Sequence, residues 1–190
     1  PAIEQNHPVV ISIAAGINET SLAHWLCNET AIVRTMPNTH AMVQTGATVL
    51  HANTHVSDDQ KDLAESILRA VGITRWLDSE KLIDAATAVS GSGPAYYFLL
   101  MESMEKAAIE MGLPEETAHL LTLQTALGAA RMAMESHDIP SELRNKVTSP
   151  GGTTEAAIQH MLDNNLTLTL IQSILKARDM AVELSQNMTK

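Results

Sequence analysis

The sequence changes character between residues 78 and 90, and this change constrains the fold more than any other feature. Before it, short apolar runs alternate with helical patterns; after Ser90–Ala95 almost every segment has helical periodicity. Alternating strands and helices are typical of an α/β domain with a parallel sheet, whereas consecutive helices pack on one another. The sequence therefore predicts an α/β part built on a parallel sheet, followed by an all-α part.

Four short runs are the strand candidates of the first part. The run Val9–Ala15 is continuous and apolar, as expected of a strand buried on both faces of a parallel sheet. Between the runs, Asn18 is a candidate N-cap for a short helix, and Ser57–Gln60 has the pattern of a capping box that opens a helix over 58–71. We predict strands at Val9–Ala15, Ala31–Thr35, Ala47–His51 and Ile73–Leu77.

Five helices are predicted in the second part, at about 94–112, 114–135, 141–146, 155–162 and 167–186. The first of them begins with Tyr96–Met101, which is apolar on all sides, so we expect other elements to enclose its start. Aromatic residues make up only 3% of the chain, and the apolar surface of the helices is large. We infer an intertwined dimer, with a self-contained helical bundle as the alternative.

Composition excludes several classes of function. The net charge is −10 and the pI is about 5.1, whereas binding to nucleic acid needs clustered Lys and Arg. The sequence has neither a long apolar span nor a signal-peptide pattern. We therefore expect a cytoplasmic protein that binds neither nucleic acid nor a membrane.

The metal-binding residue types form no recognisable site. The single cysteine, Cys27, excludes an internal disulfide, and we expect it to be a small buried apolar residue. His51 and His55 are four residues apart, but the residues between them favour a strand end and a loop. No H-E-x-x-H motif occurs among the eight histidines, so we predict no metal site.

The loop Thr148–Thr154, with the sequence T-S-P-G-G-T-T, has the character of an anion site. Its two glycines let the backbone approach a ligand closely, and its threonines lead into a helix whose first N–H groups are free. A helix N-terminus also favours negative charge, so the loop is suited to a small carboxylate or phosphate. The alternative is that Thr153 or Thr154 only caps the helix and the glycines only turn the chain.

Two further loops are weaker candidates. Ser90–Ala95 (S-G-S-G-P-A) places glycines before a helix at the junction of the two parts, where ligands often bind, although it could be a simple hinge. Met36–Thr39 (M-P-N-T) follows a predicted strand at the end where α/β sheets bind ligands, although it could be an ordinary turn.

Taken together, in this order and spacing, Met36–Thr39, Ser90–Tyr96 and Val147–Thr154 resemble pyrroline-5-carboxylate reductases, and Leu127–Arg131 resembles the dimer-forming helix of that family. The resemblance covers essentially the whole sequence. It implies the C-terminal part of a Rossmann-like NAD(P)-binding domain at residues 1–88 and a helical dimerisation and substrate-binding domain at residues 89–190. It also implies a homodimer or a higher homo-oligomer formed through the helical domain.

The resemblance further implies the last step of proline biosynthesis, in which NADPH (or NADH) reduces the cyclic imine 1-pyrroline-5-carboxylate to L-proline. Thr154 would be the catalytic residue, since its hydroxyl would hydrogen-bond the ring nitrogen. The substrate would be bound by Val147, Ser149, Gly151, Gly152, Thr153 and Thr154. The cofactor would be bound by Asn38, Ser90, Gly91, Ser92 and Gly93.

The sequence departs from the family at two places. His40 stands where the family usually has proline, a change that we expect to be tolerated. The opening strand and G-x-G-x-x-G loop of the family are not in these 190 residues, so we expect the chain alone to be weakly active or inactive.

Two other functions remain as alternatives. One is a non-catalytic helical dimerisation or anion-binding module. The other is a related hydroxy-acid dehydrogenase, which would use a helical lysine as its acid–base; Lys106 and Lys176 lie in predicted helices, but no loop motif supports them.

Overall fold

A computed structural model describes residues 8–26 and 29–188, which form two compact units. The first unit takes in the described residues up to Pro94 and those from Gln172 onward, and the second comprises Ala95–Ile171. An α/β part is followed by helices, as predicted. The predicted domain boundary at residues 88 and 89 stays a prediction, and Cys27 lies outside the described residues.

The first unit contains a four-stranded sheet with the strand order β1-β2-β3-β4. The pairs β1/β2 and β3/β4 are parallel, but β2/β3 is antiparallel, so the sheet is mixed where a parallel one was predicted. Only residues 37–45 connect β2 to β3, and a parallel crossover needs about a dozen residues or more. The strands are β1 (Val9–Ser12), β2 (Ala31–Met36), β3 (Gly46–Ala52) and β4 (Gly72–Trp76).

The core of the first unit lies on β2 and β3. All six residues of β2 are buried, and Val33 and Leu50 have no exposed surface. The helices α1 (Glu19–Leu26) and α2 (Asp58–Arg69) belong to this unit. The predicted caps are confirmed, because Asn18 Oδ1 accepts a hydrogen bond from Ser21 N–H at 2.8 Å and α2 begins with the Ser57 capping box.

A buried ion cluster joins several elements of the first unit. Arg34, on β2, places Nη1 2.7 Å from Glu80 Oε1 and Nη2 3.9 Å from Asp84 Oδ1. Glu80 Oε1 also accepts the backbone N–H of Glu19 at 2.7 Å, and the hydroxyl of Ser185 lies 3.4 Å from Asp84 Oδ1. Burial raises the pKa of Asp84 despite the nearby Arg34 guanidinium. The cluster thereby ties the end of the last helix to the sheet.

A segment that the sequence did not predict follows the sheet. The short helix α3 (Leu82–Ala86) continues into a π-helical turn, Thr87–Gly91, in which Ser92 N–H donates to Thr87 O at 2.8 Å. Single π-helical turns are uncommon and occur often at functional sites. This turn leads directly into the first long helix.

The remaining helices match the predicted ones within a few residues, and the last of them passes from the second unit into the first. No helix within residues 8–26 and 29–188 is long and apolar enough to cross a membrane. The helices are α4 (Gly93–Glu110), α5 (Glu115–Glu135), α6 (Pro140–Lys146), α7 (Thr153–Asp163) and α8 (Leu166–Asn187).

The second unit has almost no core of its own. Ala118 and Thr122 are its only buried residues. The expectation that other elements enclose the start of α4 is wrong for the single chain, because Phe98 is 58% and Leu99 65% exposed. Apolar surface on this scale marks a region that packs against another molecule.

Candidate active site

The Thr148–Thr154 loop connects α6 to α7 in the second unit. The N-cap of α7 is Gly152, with extended backbone (φ −86°, ψ 169°) and no side-chain cap. Thr153 and Thr154 already belong to the helix, so the interpretation that one of them only caps it is wrong. The helix start therefore keeps backbone N–H groups that a ligand could use.

The hydroxyl of Thr154 is available to a ligand. The side chain is half-buried in the first turn of α7, and no hydrogen bond of its hydroxyl is found in the part of the chain that the structure describes. By contrast, the hydroxyl of Thr148 donates to the carbonyl of Arg144 at 2.6 Å. Thr154 is thus held in place by the helix backbone while its hydroxyl stays free.

Both glycines of the loop are required by its shape, for different reasons. Gly151 has φ +71°, a left-handed conformation that other residues rarely adopt. Gly152 has an ordinary φ, but a Cβ there would lie 2.7 Å from Ser149 Oγ and 3.0 Å from Ser149 O. The backbone of the loop is consequently open to close approach by a ligand.

The loop already binds one carboxylate of its own chain. Gly151 N–H donates to Glu155 Oε2 at 2.7 Å, a short bond of the kind that carboxylates form with backbone N–H groups. Glu155 was not predicted from the sequence, although its four-residue spacing from Gly151 at a helix start was a usable signal. The remaining predicted substrate-binding residues, Val147, Ser149 and Thr153, are exposed.

The two other predicted loops contact each other within the first unit, which includes Met36–Thr39 and residues 90–94. Asn38 follows β2, and its Nδ2 donates to the carbonyl of Ser90 at 3.1 Å. The same side chain accepts the Ala47 N–H on Oδ1 at 3.1 Å, which fixes it to the start of β3. The loop after β2 and the π-helical turn are therefore one structural group.

Small residues leave space beside this turn. A Cβ on Gly91 would lie 3.5 Å from Thr87 Cγ2 and 4.0 Å from Sδ of Met36, the last residue of β2, so Gly91 lies in ordinary contact distance of both. Gly93 is buried, yet a Cβ built on it would meet no atom within 4 Å apart from its chain neighbours and the nearby backbone of its own helix. Ser90 and Ser92 are half-buried beside these glycines. A flat ring could approach the backbone at this point.

Other candidate chemistry has little support. Lys106 is exposed and paired with Glu102, whose hydrogen bond raises the pKa of the lysine, so it is a poor acid–base. Within residues 8–26 and 29–188, no group of three or more His, Cys, Asp or Glu residues could hold a metal ion.

Comparison with known proteins identifies the family of the chain. Residues 80–184 match the family described as pyrroline-5-carboxylate reductase dimerisation. The pyrroline-5-carboxylate reductase of Pseudomonas aeruginosa is 50% identical over 188 residues, which are 99% of this chain and 68% of that protein.

Solved structures agree with this match. The pyrroline-5-carboxylate reductase of Coxiella burnetii is 49% identical with a TM-score of 0.92, over 97% of this chain and 68% of that one. The Plasmodium falciparum pyrroline carboxylate reductase, solved with NADP bound, is 32% identical with a TM-score of 0.88, over 93% of this chain and 70% of that one. Since one family model covers more than half of the chain and close relatives cover nearly all of it, the chain belongs to the pyrroline-5-carboxylate reductase family.

Proposed function

We propose that this chain acts in the NAD(P)H-dependent reduction of 1-pyrroline-5-carboxylate to L-proline, the last step of proline biosynthesis. The relatives carry the name of this activity, and one of them was solved with NADP. The observation that carries the proposal is the Thr148–Thr154 loop, in which the N–H of Gly151 binds a carboxylate and the hydroxyl of Thr154 has no partner among the described residues.

In this proposal the loop binds the carboxylate of the substrate through backbone N–H groups. Gly151 N–H would exchange its bond to Glu155 for one to the substrate. The positive end of α7 would favour the bound negative charge. The residues that would line the substrate are Val147, Ser149, Gly151, Gly152, Thr153 and Thr154.

Thr154 is the proposed catalytic residue. Its hydroxyl would donate a hydrogen bond to the ring nitrogen, which becomes more basic as the C=N bond is reduced. A donor placed where electron density builds up lowers the barrier, because the bond is strongest in the transition state. No side chain with a shifted pKa is needed for this role.

The proposed cofactor-binding residues are Asn38, Ser90, Gly91, Ser92 and Gly93. The lack of neighbouring side chains around the Cβ position of Gly93 supports the approach of a flat nicotinamide ring to the backbone. When bound, the reduced nicotinamide supplies the hydride. The protein residues would orient the ring and keep water away from it.

We further propose residues 1–88 as the C-terminal part of a Rossmann-like NAD(P)-binding domain and residues 89–190 as the helical dimerisation and substrate-binding domain of a cytoplasmic homodimer or higher homo-oligomer. The exposed apolar surface of the second unit supports a second copy as its partner. Such a surface is typical of obligate homodimers.

Two proteins test the function: the 190-residue chain, and an extended chain in which the part of the Pseudomonas aeruginosa reductase outside the match is joined to these residues. Each is mixed with NADPH or NADH and 1-pyrroline-5-carboxylate, and oxidation of the cofactor and formation of proline are measured. We expect the extended chain to form oxidised cofactor and proline in equal amounts. Cofactor oxidation without proline, or neither, would contradict the proposal.

A further inference from the structure

The Asn38 side chain joins three elements of the first unit through two hydrogen bonds. Its Nδ2 reaches the carbonyl of Ser90, and its Oδ1 accepts from Ala47, each at 3.1 Å. The partners fix the orientation of the amide, because a carbonyl requires a donor and an N–H requires an acceptor. Both polar atoms of the side chain are therefore engaged with protein backbone.

The carbonyl of Ser90 has a specific need for this donor. In an α-helix it would accept from the N–H four residues later, but that residue is Pro94, which has no N–H. The chain instead forms the π-helical turn Thr87–Gly91 at this point. Ser90 is half-buried, so water can only partly replace a donor that this carbonyl loses.

We propose that Asn38 is a positioning residue that acts on the cofactor site through Ser90. Its amide holds the π-helical turn, and thereby the Ser90–Gly93 backbone, at the place from which the ring of the cofactor is oriented. This inference rests on the proposed function, since Ser90–Gly93 are its cofactor-binding residues. It assigns to Asn38 a role in which the side chain need not touch the cofactor.

The variant Asn38→Asp separates the two hydrogen bonds of the side chain. The carboxylate can still accept a hydrogen bond from the N–H of Ala47. Its second oxygen, however, replaces Nδ2 and cannot donate to the carbonyl of Ser90. Protonation restores a donor, because a carboxylic acid has one O–H. The opposing carbonyl favours the neutral acid and raises the pKa of this new carboxyl, so the defect should disappear as the pH falls.

Asn53 provides a matched control in the same unit. Its Nδ2 donates to the carbonyl of Thr30 at 2.9 Å, and its Oδ1 accepts from the N–H groups of Ile32 and His55, each at 3.2 Å. Asn53→Asp is thus the same substitution in the same kind of bridge between backbone segments, outside the residues proposed for the site.

The first experiment measures kcat of the extended chain and of both variants from about pH 8 down to about pH 5, as a ratio to the unsubstituted protein at each pH. We expect Asn38→Asp to lower kcat about tenfold at the upper end and to recover to within about twofold at the lower end. Asn53→Asp should stay within about twofold throughout. An unchanged kcat for Asn38→Asp, a loss independent of pH, or the same profile for Asn53→Asp would overturn the proposal.

The second experiment needs no enzymatic activity. Hydrogen exchange of the Ser92 amide, which closes the π-helical turn onto Thr87, is measured in the 190-residue chain. We expect about tenfold faster exchange in Asn38→Asp than in Asn53→Asp near neutral pH. Equal rates would contradict the positioning role. If exchange responds as expected while the extended chain makes no proline, the proposed function fails and the role of Asn38 in holding the turn stands.

Discussion

Replacing Arg34 with methionine removes the cation at the centre of the buried ion cluster. The side chain of Arg34 is 3% exposed, and those of Glu80 and Asp84 are 20% and 16% exposed. Methionine has a comparable length and no polar group, so the substitution removes the charge with little loss of volume. Two carboxylates then remain close together in a largely dry environment.

The expected loss of stability is large because the carboxylates of Glu80 and Asp84 are mostly buried. Removal of one partner of a buried ion pair typically destabilises a protein by about 3–5 kcal/mol. With a urea dependence of about 2 kcal/mol per M, the unfolding midpoint should fall by about 2 M. The hydroxyl of Ser185 and the N–H of Glu19 remain as donors to the carboxylates, which favours the lower end of that range.

Arg69→Met is the matched control. Arg69 Nη2 lies 2.8 Å from Glu65 Oε1, nearly the same distance as in the buried pair, but Arg69 is 65% exposed. Exposed pairs gain little because water screens them. Urea unfolding of both variants at one protein concentration, followed by circular dichroism, should show a large shift for Arg34→Met alone. Similar shifts for the two variants would refute the argument that burial sets the energy of this cluster.

Three other predictions follow from the structure. Gly151→Ala forces a left-handed conformation on alanine, so it should raise the KM for the imine acid and lower the free energy of unfolding by about 1–2 kcal/mol. Gly152→Ala should also raise this KM, because the new Cβ would contact Ser149. Steady-state kinetics and urea unfolding check both variants. Burial raises the pKa of Asp84, so the stability that this group contributes is full below its ordinary pKa and is lost as the pH rises through the raised value. Asp84→Asn should therefore gain stability relative to the unsubstituted chain as the pH rises from acid to neutral. Parallel pH profiles of stability for the two proteins would contradict this. Leu99→Asp should convert a dimer into a monomer or an aggregate in light scattering, and an unchanged mass would show that this surface is not the interface.

Local sequence signals predicted most of the elements of this fold. The Ser57 capping box and the Asn18 cap both formed, because each depends on residues three positions apart. The antiparallel pairing of β2 with β3 was missed, since strand runs carry no direction in their composition. The length of the connection at 37–45 was the available signal, and it excludes a parallel crossover.

The site was predictable as a set of loops but not as a set of contacts. The glycines of Thr148–Thr154 and the nearby helix start are visible in the sequence. The bond between Asn38 and Ser90 joins positions 52 residues apart, and no local pattern encodes such a pairing. The start of α4 was predicted to be enclosed, but a single chain leaves it exposed, because apolar periodicity cannot distinguish a core from an interface.

The most direct test of the account is the turnover of Thr154→Ala in the extended chain, with Thr153→Ala as its control. Thr154 is half-buried and its neighbour is exposed, and neither caps α7. If the Thr154 hydroxyl donates to the ring nitrogen in the transition state, Thr154→Ala should lower kcat by about tenfold to a hundredfold, while the urea midpoint and the kcat of Thr153→Ala barely change. An undiminished kcat for Thr154→Ala, or a loss explained by a matching fall in stability, would contradict the central claim.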